Sequence, residues 1–305
     1  MDKPSFFNKV IEPIIPKKKT HDRDAAEYDE KHVEIYNPTE QKRIRFVLKD
    51  ALSYVKLKSD LPRVLDFGAG TGNLTEHLLD LGVKTVAADI SSKYLERLRL
   101  KLGNSERLET ILLNGDDLSG IPDGSFDMVA TYSVLHHVPD YLKIIDEFVR
   151  VLKTGGILYI DHEVCPTYWE SNSEYDAYLE ELGPEFSKVH RDELGLTLRD
   201  EKITSGTTDH KSIVFRKWIK QIKSRPSSHK RRKIRKGGDL HVFKDDHIMW
   251  GDIESRLHSK CEIINNYDYL VCRERDETPE IWRKWKDKCS DMHVIIARKI
   301  ESGGP

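Results

Sequence analysis

The chain has 305 residues, with 50 Lys+Arg against 52 Asp+Glu, a formal charge of −2 and a mean hydropathy of −0.59. That length admits one elaborated domain or two modest ones. No window approaches the ~20 apolar residues of a membrane span, and the N-terminus (MDKPSFFNKV IEPIIPKKKT) lacks the order of a secretory signal. Cys165, Cys261, Cys272 and Cys289 stand far apart, so no CxxC pair points to zinc or redox chemistry. A reduced, cytoplasmic protein is expected. The near-neutral total hides an asymmetry: eleven Lys/Arg and no acid lie between Phe215 and Lys236, leaving 39 basic residues against 52 acidic elsewhere.

Pro4, Pro13, Pro16 and the Lys17–Lys19 run predict an arm without regular structure. A helix over Asp22–Val33 would put Tyr28 and His32 on one face, as a lid over a substrate. Asn37-Pro38-Thr39-Glu40 reads as a helix start, with Ile44, Val47, Leu48, Ala51 and Val55 as its buried face. From Arg63 strands and helices alternate. The expected strands are Val64–Phe67, Thr85–Ala88, Glu109–Leu113, Phe126–Tyr132 and Ile157–Ile160, with a helix over Asp140–Leu152 that stops at Gly155-Gly156. A helix over Asp246–Lys260 and strands over Glu262–Val271 and Met292–Arg298 close the pattern. Such alternation implies a parallel sheet covered on both faces by helices. The expected organisation is an N-terminal arm and helical lid (1–60), a nucleotide-binding core (61–163), an insertion (164–240) and closing elements (241–305).

A sheet of this kind binds ligands beyond the carboxyl ends of its strands. Gly68, Gly70 and Gly72 follow the first strand, and Asp89 ends the second, where a carboxylate can hold a ribose diol. The third glycine comes one residue earlier than in a dinucleotide loop, and Asp66 precedes the loop by two residues. A carboxylate there repels a pyrophosphate and attracts a sulfonium or ammonium, so a cationic ligand is favoured.

VLDFGAGTG, NGDDL, SFDMVATYSVLHHVPD and VLKTGGILYIDHE, with Asp89 between the first two, resemble the motifs of class I methyltransferases dependent on S-adenosyl-L-methionine (SAM). The similarity is strongest to the small-molecule branch near quinone biosynthesis, and GGDLHVFKDDHIMW resembles methyltransferases of polysaccharide clusters. The resemblance implies an α/β, doubly wound, mostly parallel seven-stranded sheet with its last strand antiparallel. It also implies SAM binding, with S-adenosyl-L-homocysteine (SAH) as product, through Asp66, Gly68, Ala69, Gly70, Thr71, Gly72, Asn73, Asp89, Ile90, Asp116, Asp117, Tyr132 and His136.

An oxygen nucleophile also wants a base. His162, between Asp161 and Glu163, is the leading candidate, because adjacent carboxylates would raise its pKa; Asp161 and His137 accompany it. Tyr28 and His32 are candidate substrate contacts, and no metal site is expected. The Asn/Asp-Pro-Pro-aromatic motif of amine methylases is missing at Thr131–Val134, and Cys165 lacks the context of a cytosine-carbon nucleophile. Phe215, Trp218, Ile219 and Ile222 lie at helical spacing among lysines and arginines. The segment 213–236 therefore reads as a solvated cap, as a helix on an anionic membrane surface or anionic acceptor, or as an RNA grip. The expected reaction is methyl transfer, at oxygen, to a small or lipid-linked anionic acceptor. An RNA methyltransferase, a non-catalytic SAM-binding regulator and a nicotinamide dehydrogenase remain as rivals.

Overall fold

The computed structural model describes residues 32–55, 61–103, 105–184, 186, 187, 190 and 240–301. The expected helix over 22–33, Tyr28 and the basic segment 213–236 lie outside the described residues, His32 and Val33 apart. Two helices come first, α1 (Val33–Tyr36) and α2 (Pro38–Ser53). The core follows as β1 (Arg63–Phe67), α3 (Asn73–Asp80), β2 (Lys84–Asp89), α4 (Ser92–Leu102), β3 (Leu108–Leu112), β4 (Phe126–Tyr132), α5 (Tyr141–Val151) and β5 (Leu152–Val164). Then come α6 (Ser173–Leu182), a hairpin of β6 (Val242–Phe243) and β7 (Asp246–His247), α7 (Trp250–His258), β8 (Cys261–Tyr269), α8 (Glu280–Trp285) and β9 (Met292–Lys299).

Seven strands form one sheet in the order β3-β2-β1-β4-β5-β9-β8. All neighbours are parallel except β9, which runs antiparallel to both β5 and β8. This is the doubly wound sheet expected, last strand antiparallel. The reversal of strand order between β1 and β4 opens the crevice where ligands bind in such sheets. One face packs Phe67, Val129, Ile160 and Ile295 under α5 and α7. The other packs Val64, Met128, Tyr159 and Ile296 under α2 and α3.

Local chemistry sets the helix starts. Asn37 Oδ1 accepts from Glu40 N at 2.9 Å, with Pro38 in the first turn. Ser91 Oγ and Asp140 Oδ1 do the same for α4 and α5. Glu40, three residues after the cap, is buried against Arg43. Val55 falls beyond the end of α2.

Three further boundaries differ. Gly155-Gly156 do turn the chain, but β5 already starts at Leu152, and its register against β4 slips between Phe126 and Met128. Residues 246–247 pair in the hairpin, so α7 begins only at Trp250. β8 ends at Tyr269, two residues early, and most of it is exposed at the sheet edge. Among the described residues no helix is long and apolar enough to cross a membrane.

Candidate functional site

A cleft opens where β1, β2 and β4 end, walled by Phe67, Gly68, Gly70, Asp89, Ile90 and Tyr94 on one side. Leu113, Asp116, Asp117, Tyr132, Ser133 and Val134 face them, with His137, Val138 and Pro139 at the rim. The loop after β1 is pinned to β2, because Gly68 N and Ala69 N both donate to the Ala88 carbonyl, at 2.8 and 3.0 Å. Gly68 sits at φ +75, and a Cβ there would fall 2.5 Å from Val134 Cγ2. Only glycine fits that approach.

Asp89 Oδ2 accepts from Gly70 N at 2.9 Å and Oδ1 from Ser91 N at 2.7 Å. Loop, strand end and helix start thus orient one carboxylate at the cleft wall. Asn114 Oδ1 accepts from Asp116 N and Asp117 N, a turn that presents both acids. Hydrogen bonds from Asn114 and Ser119 hold the Asp117 carboxyl well below the usual carboxylate range.

Several expected contacts stand elsewhere. Asp66 does not reach the wall. It is buried under the loop, accepting from Thr75 Oγ1 at 2.5 Å, and burial pushes it up to about 7, with Asp89 adding to the rise. Ala69, Thr71, Gly72 and Asn73 are also not among the residues that line the cleft. Thr71 meets Tyr36 OH at 3.1 Å, and Asn73 Oδ1 accepts from Gln41 Nε2 at 2.8 Å, so α1 and α2 brace the loop from behind. The two histidines exchange places. His137 lines the cleft, whereas His136 turns to Glu163, with Nδ1 2.8 Å from Oε2.

The strand-five acids separate because His162 adopts φ +62 and the register against β9 slips between Asp161 and Glu163. This bulge sends the two carboxylates to opposite faces of the sheet. Asp161, fully buried, accepts from Arg43 Nη2 at 2.8 Å, from Tyr269 OH at 3.0 Å, from Tyr159 OH and from His162 N. Arg43 also donates to Glu40 at 2.6 Å, and Tyr132 OH donates to the same Glu40 oxygen at 2.9 Å. Glu163 Oε1 accepts from Val134 N and Leu135 N at 2.8 and 2.7 Å.

The rise expected in the His162 pKa is reversed. Burial pushes it down to about 3, helped by the Arg43 charge. His162 stacks on Tyr132 with ring centroids 4.6 Å apart, and its buried Nε2 has no hydrogen-bond partner among the described residues. His32 sits beside this region, Nδ1 3.0 Å from Glu34 Oε1, and the Glu34 charge acts on His162. Among the described residues no group of three His, Cys, Asp or Glu is placed to hold a metal.

Tyr94 and Ser133 were not expected at the wall. Tyr94 follows the Ser91 cap by three residues, and a side chain in a first turn leans back toward the strand end. Ser133 takes φ +58 beside the equally left-handed His162, with Ser133 N donating to Asp161 O at 3.0 Å. Left-handed non-glycine residues gather at functional sites.

Residues 65–160 match the family model described as a methyltransferase domain. Demethylmenaquinone methyltransferase of Clavibacter sepedonicus is 35% identical over 127 residues, 42% of this chain and 51% of that protein. Ubiquinone biosynthesis O-methyltransferase of Xanthomonas campestris pv. campestris (strain B100) is 38% identical over 112 residues, 36% of this chain and 47% of that one. The chain thus spans about half the length of the curated relatives it matches. The N-methyltransferase NodS from Bradyrhizobium japonicum WM9, solved with SAH, shares the fold at a TM-score of 0.52 and 13% identity, over 94% of this chain and 100% of that one.

The donor set fits the family's cofactor. An oriented carboxylate at the end of β2 suits a ribose diol, apolar Ile90 and Leu113 suit the faces of a purine, and Asp116 suits an exocyclic amine. Residues 65–160, which carry every residue of the cleft wall, thus match a methyltransferase domain, and the sheet has the fold of a methyltransferase solved with SAH.

Proposed function

We propose that the chain transfers a methyl group from SAM to oxygen of a small or lipid-linked, anionic acceptor. The observation that carries this reading is the Asp89 carboxylate, fixed by Gly70 N and Ser91 N at the wall of the cleft. SAM supplies an electrophilic methyl group on a positively charged sulfur. Asp89 and Asp116 hold the ribose and adenine ends, Gly68 and Gly70 give close backbone approach, and Ile90 and Leu113 exclude water from the base. Positioning of this kind supplies much of the acceleration of an in-line displacement.

His137 is the imidazole that reaches the wall, and in this reading it takes the acceptor's proton as the carbon–oxygen bond forms. Neutral His162 stands behind Tyr132, away from the cleft lining, and its low basicity does not suit it to storing the proton. Asp161 is a scaffold residue, its oxygens already engaged by four donors. His32, the residue before α1, is the substrate-side group.

Quinone intermediates, the substrates that the relatives' names imply, are lipid-linked small molecules, and the eleven basic residues of 215–236 suit an anionic acceptor or membrane surface. The test incubates SAM labelled in its methyl group with enzyme and source-cell extract, then separates RNA, protein, lipid and aqueous fractions. Asp89→Ala sets the background. Label in the lipid or aqueous fraction is expected. Label in RNA would make the basic segment a phosphate grip, and SAH binding with no transfer would make the chain a regulator.

A further inference from the structure

The turn Leu135–Val138, which brings His137 and Val138 to the rim of the cleft, is held from two sides. From β5, Glu163 accepts the Val134 and Leu135 N–H groups and meets His136. From the other side the chain returns at Leu240, whose N–H donates to His136 O at 2.8 Å, followed by His241 N to the same oxygen at 3.1 Å. The His241 ring then closes the clasp. Its Nε2 lies 3.0 Å from Val138 O and its Nδ1 2.7 Å from Asp246 Oδ1.

Both of those partners are acceptors. A carbonyl oxygen has no proton to give, and an ionised carboxylate has none either. A neutral imidazole donates from one nitrogen only, so in that form one contact sets lone pair against lone pair. Only the imidazolium satisfies both. Asp246 on β7 touches the ring, and Tyr141 meets it edge-on, centroids 5.1 Å apart. Asp140 and Asp252 lie near that phenol, whose pKa rises mainly through burial with these acids adding. Lys244 and Asp245 at the hairpin turn are exposed, His247 Nδ1 is bonded to Lys244 O, and His136 is paired with Glu163.

We propose that His241 is a positioning residue, acting as an imidazolium bridge from Asp246 to Val138 that holds the rim of the cofactor cleft, so that cofactor affinity follows its protonation. The coupling rests on SAM being the cofactor; the bridge itself does not. Deprotonation at rising pH breaks one contact, loosens the turn and weakens binding.

The test uses the full chain and two readouts. Multiple-bond proton–nitrogen NMR of 15N-histidine protein reads whether both His241 nitrogens are protonated, with His241→Ala assigning the signal. Calorimetric titration with SAH from about pH 5.5 to about pH 8.5 reads the coupling. Asp246→Asn is the informative variant. Its amide can donate to Nδ1 while Nε2–H keeps Val138, so the neutral ring completes the bridge. The ratio of wild-type to Asp246→Asn dissociation constants is expected to rise about three- to tenfold across that range, the scale of one hydrogen bond. Asp66 titrates in both proteins and cancels in the ratio. His241→Ala is expected to bind weakly throughout, with an unchanged circular dichroism spectrum. A singly protonated His241 throughout, or a flat ratio, would overturn the proposal. Failure of the wild-type chain as well as the variants to bind SAH would refute the cofactor reading, while the NMR would still decide the bridge.

Discussion

Replacing Arg43 by Met tests the junction between the N-terminal helix and the strand ends. Its guanidinium is the hub for Glu40, Asp161 and the Tyr269 hydroxyl, and both carboxylates are almost wholly buried, at 1% and 0% exposure. Methionine keeps much of the volume and removes the charge, leaving two acids in a low-dielectric pocket. Breaking a buried ion pair from one side costs about 3–5 kcal/mol. At ~2–4 °C per kcal/mol for a domain of this size, the melting temperature is expected to fall by about 10 °C. The effect carries a pH signature. Burial already raises the Glu40 pKa with Arg43 present, so without it the Glu40 carboxyl rises further above its unfolded value. The folded variant then binds more protons than the unfolded chain, and its stability falls as pH increases. Urea unfolding at about pH 5 and about pH 8 reads both effects. Arg43→Met in a Glu40→Gln background is expected to lose less than Arg43→Met alone. A loss below about 1 kcal/mol, or one greater at acid pH, would refute the reasoning, since exposed pairs behave that way.

Gly68→Ala places a methyl group 2.5 Å from Val134 Cγ2 at φ +75, so about 1–3 kcal/mol of stability and more than tenfold in SAH affinity should be lost, measured by melting and calorimetry. Asp66, raised from 3.8 to about 7, lends the cofactor-free protein stability that is complete below about pH 4 and is lost as pH rises through about 7. Asp66→Asn should remove up to about 4 kcal/mol of that pH dependence; parallel melting curves for the two proteins from pH ~5 to pH ~8 would contradict it. Glu163→Ala strips the partners of Val134 N, Leu135 N and His136 Nδ1 and should cost about 2 kcal/mol or more in denaturant unfolding. Equal stability would place those donors in water instead.

The glycine loop, Asp89 and the Asp116-Asp117 pair were legible in the sequence because their chemistry is local: a strand, a turn and an acid in fixed order. The sheet was legible for the same reason, since each buried strand announces itself by apolar content. What escaped depends on distance or on backbone twist. Arg43 meets Asp161 and Tyr269 across 118 and 226 residues, and no periodicity marks such a pairing. The sign of the His162 shift was misread because neighbours in sequence were taken as neighbours in space, and the bulge at φ +62 undoes that. A short 3₁₀ turn decides which histidine of the Leu135–His137 segment faces the cleft, and two adjacent identical residues give no hint of it.

Calorimetric titration of the full chain with SAH, beside Asp89→Ala and with NAD as the alternative ligand, tests most directly whether this cleft is a SAM site. The wild-type chain should bind SAH and not NAD. Asp89→Ala should bind SAH about 1–3 kcal/mol more weakly, the scale of a lost hydrogen bond to a charged group. Binding of NAD without SAH, or SAH affinity indifferent to Asp89, would contradict the assignment.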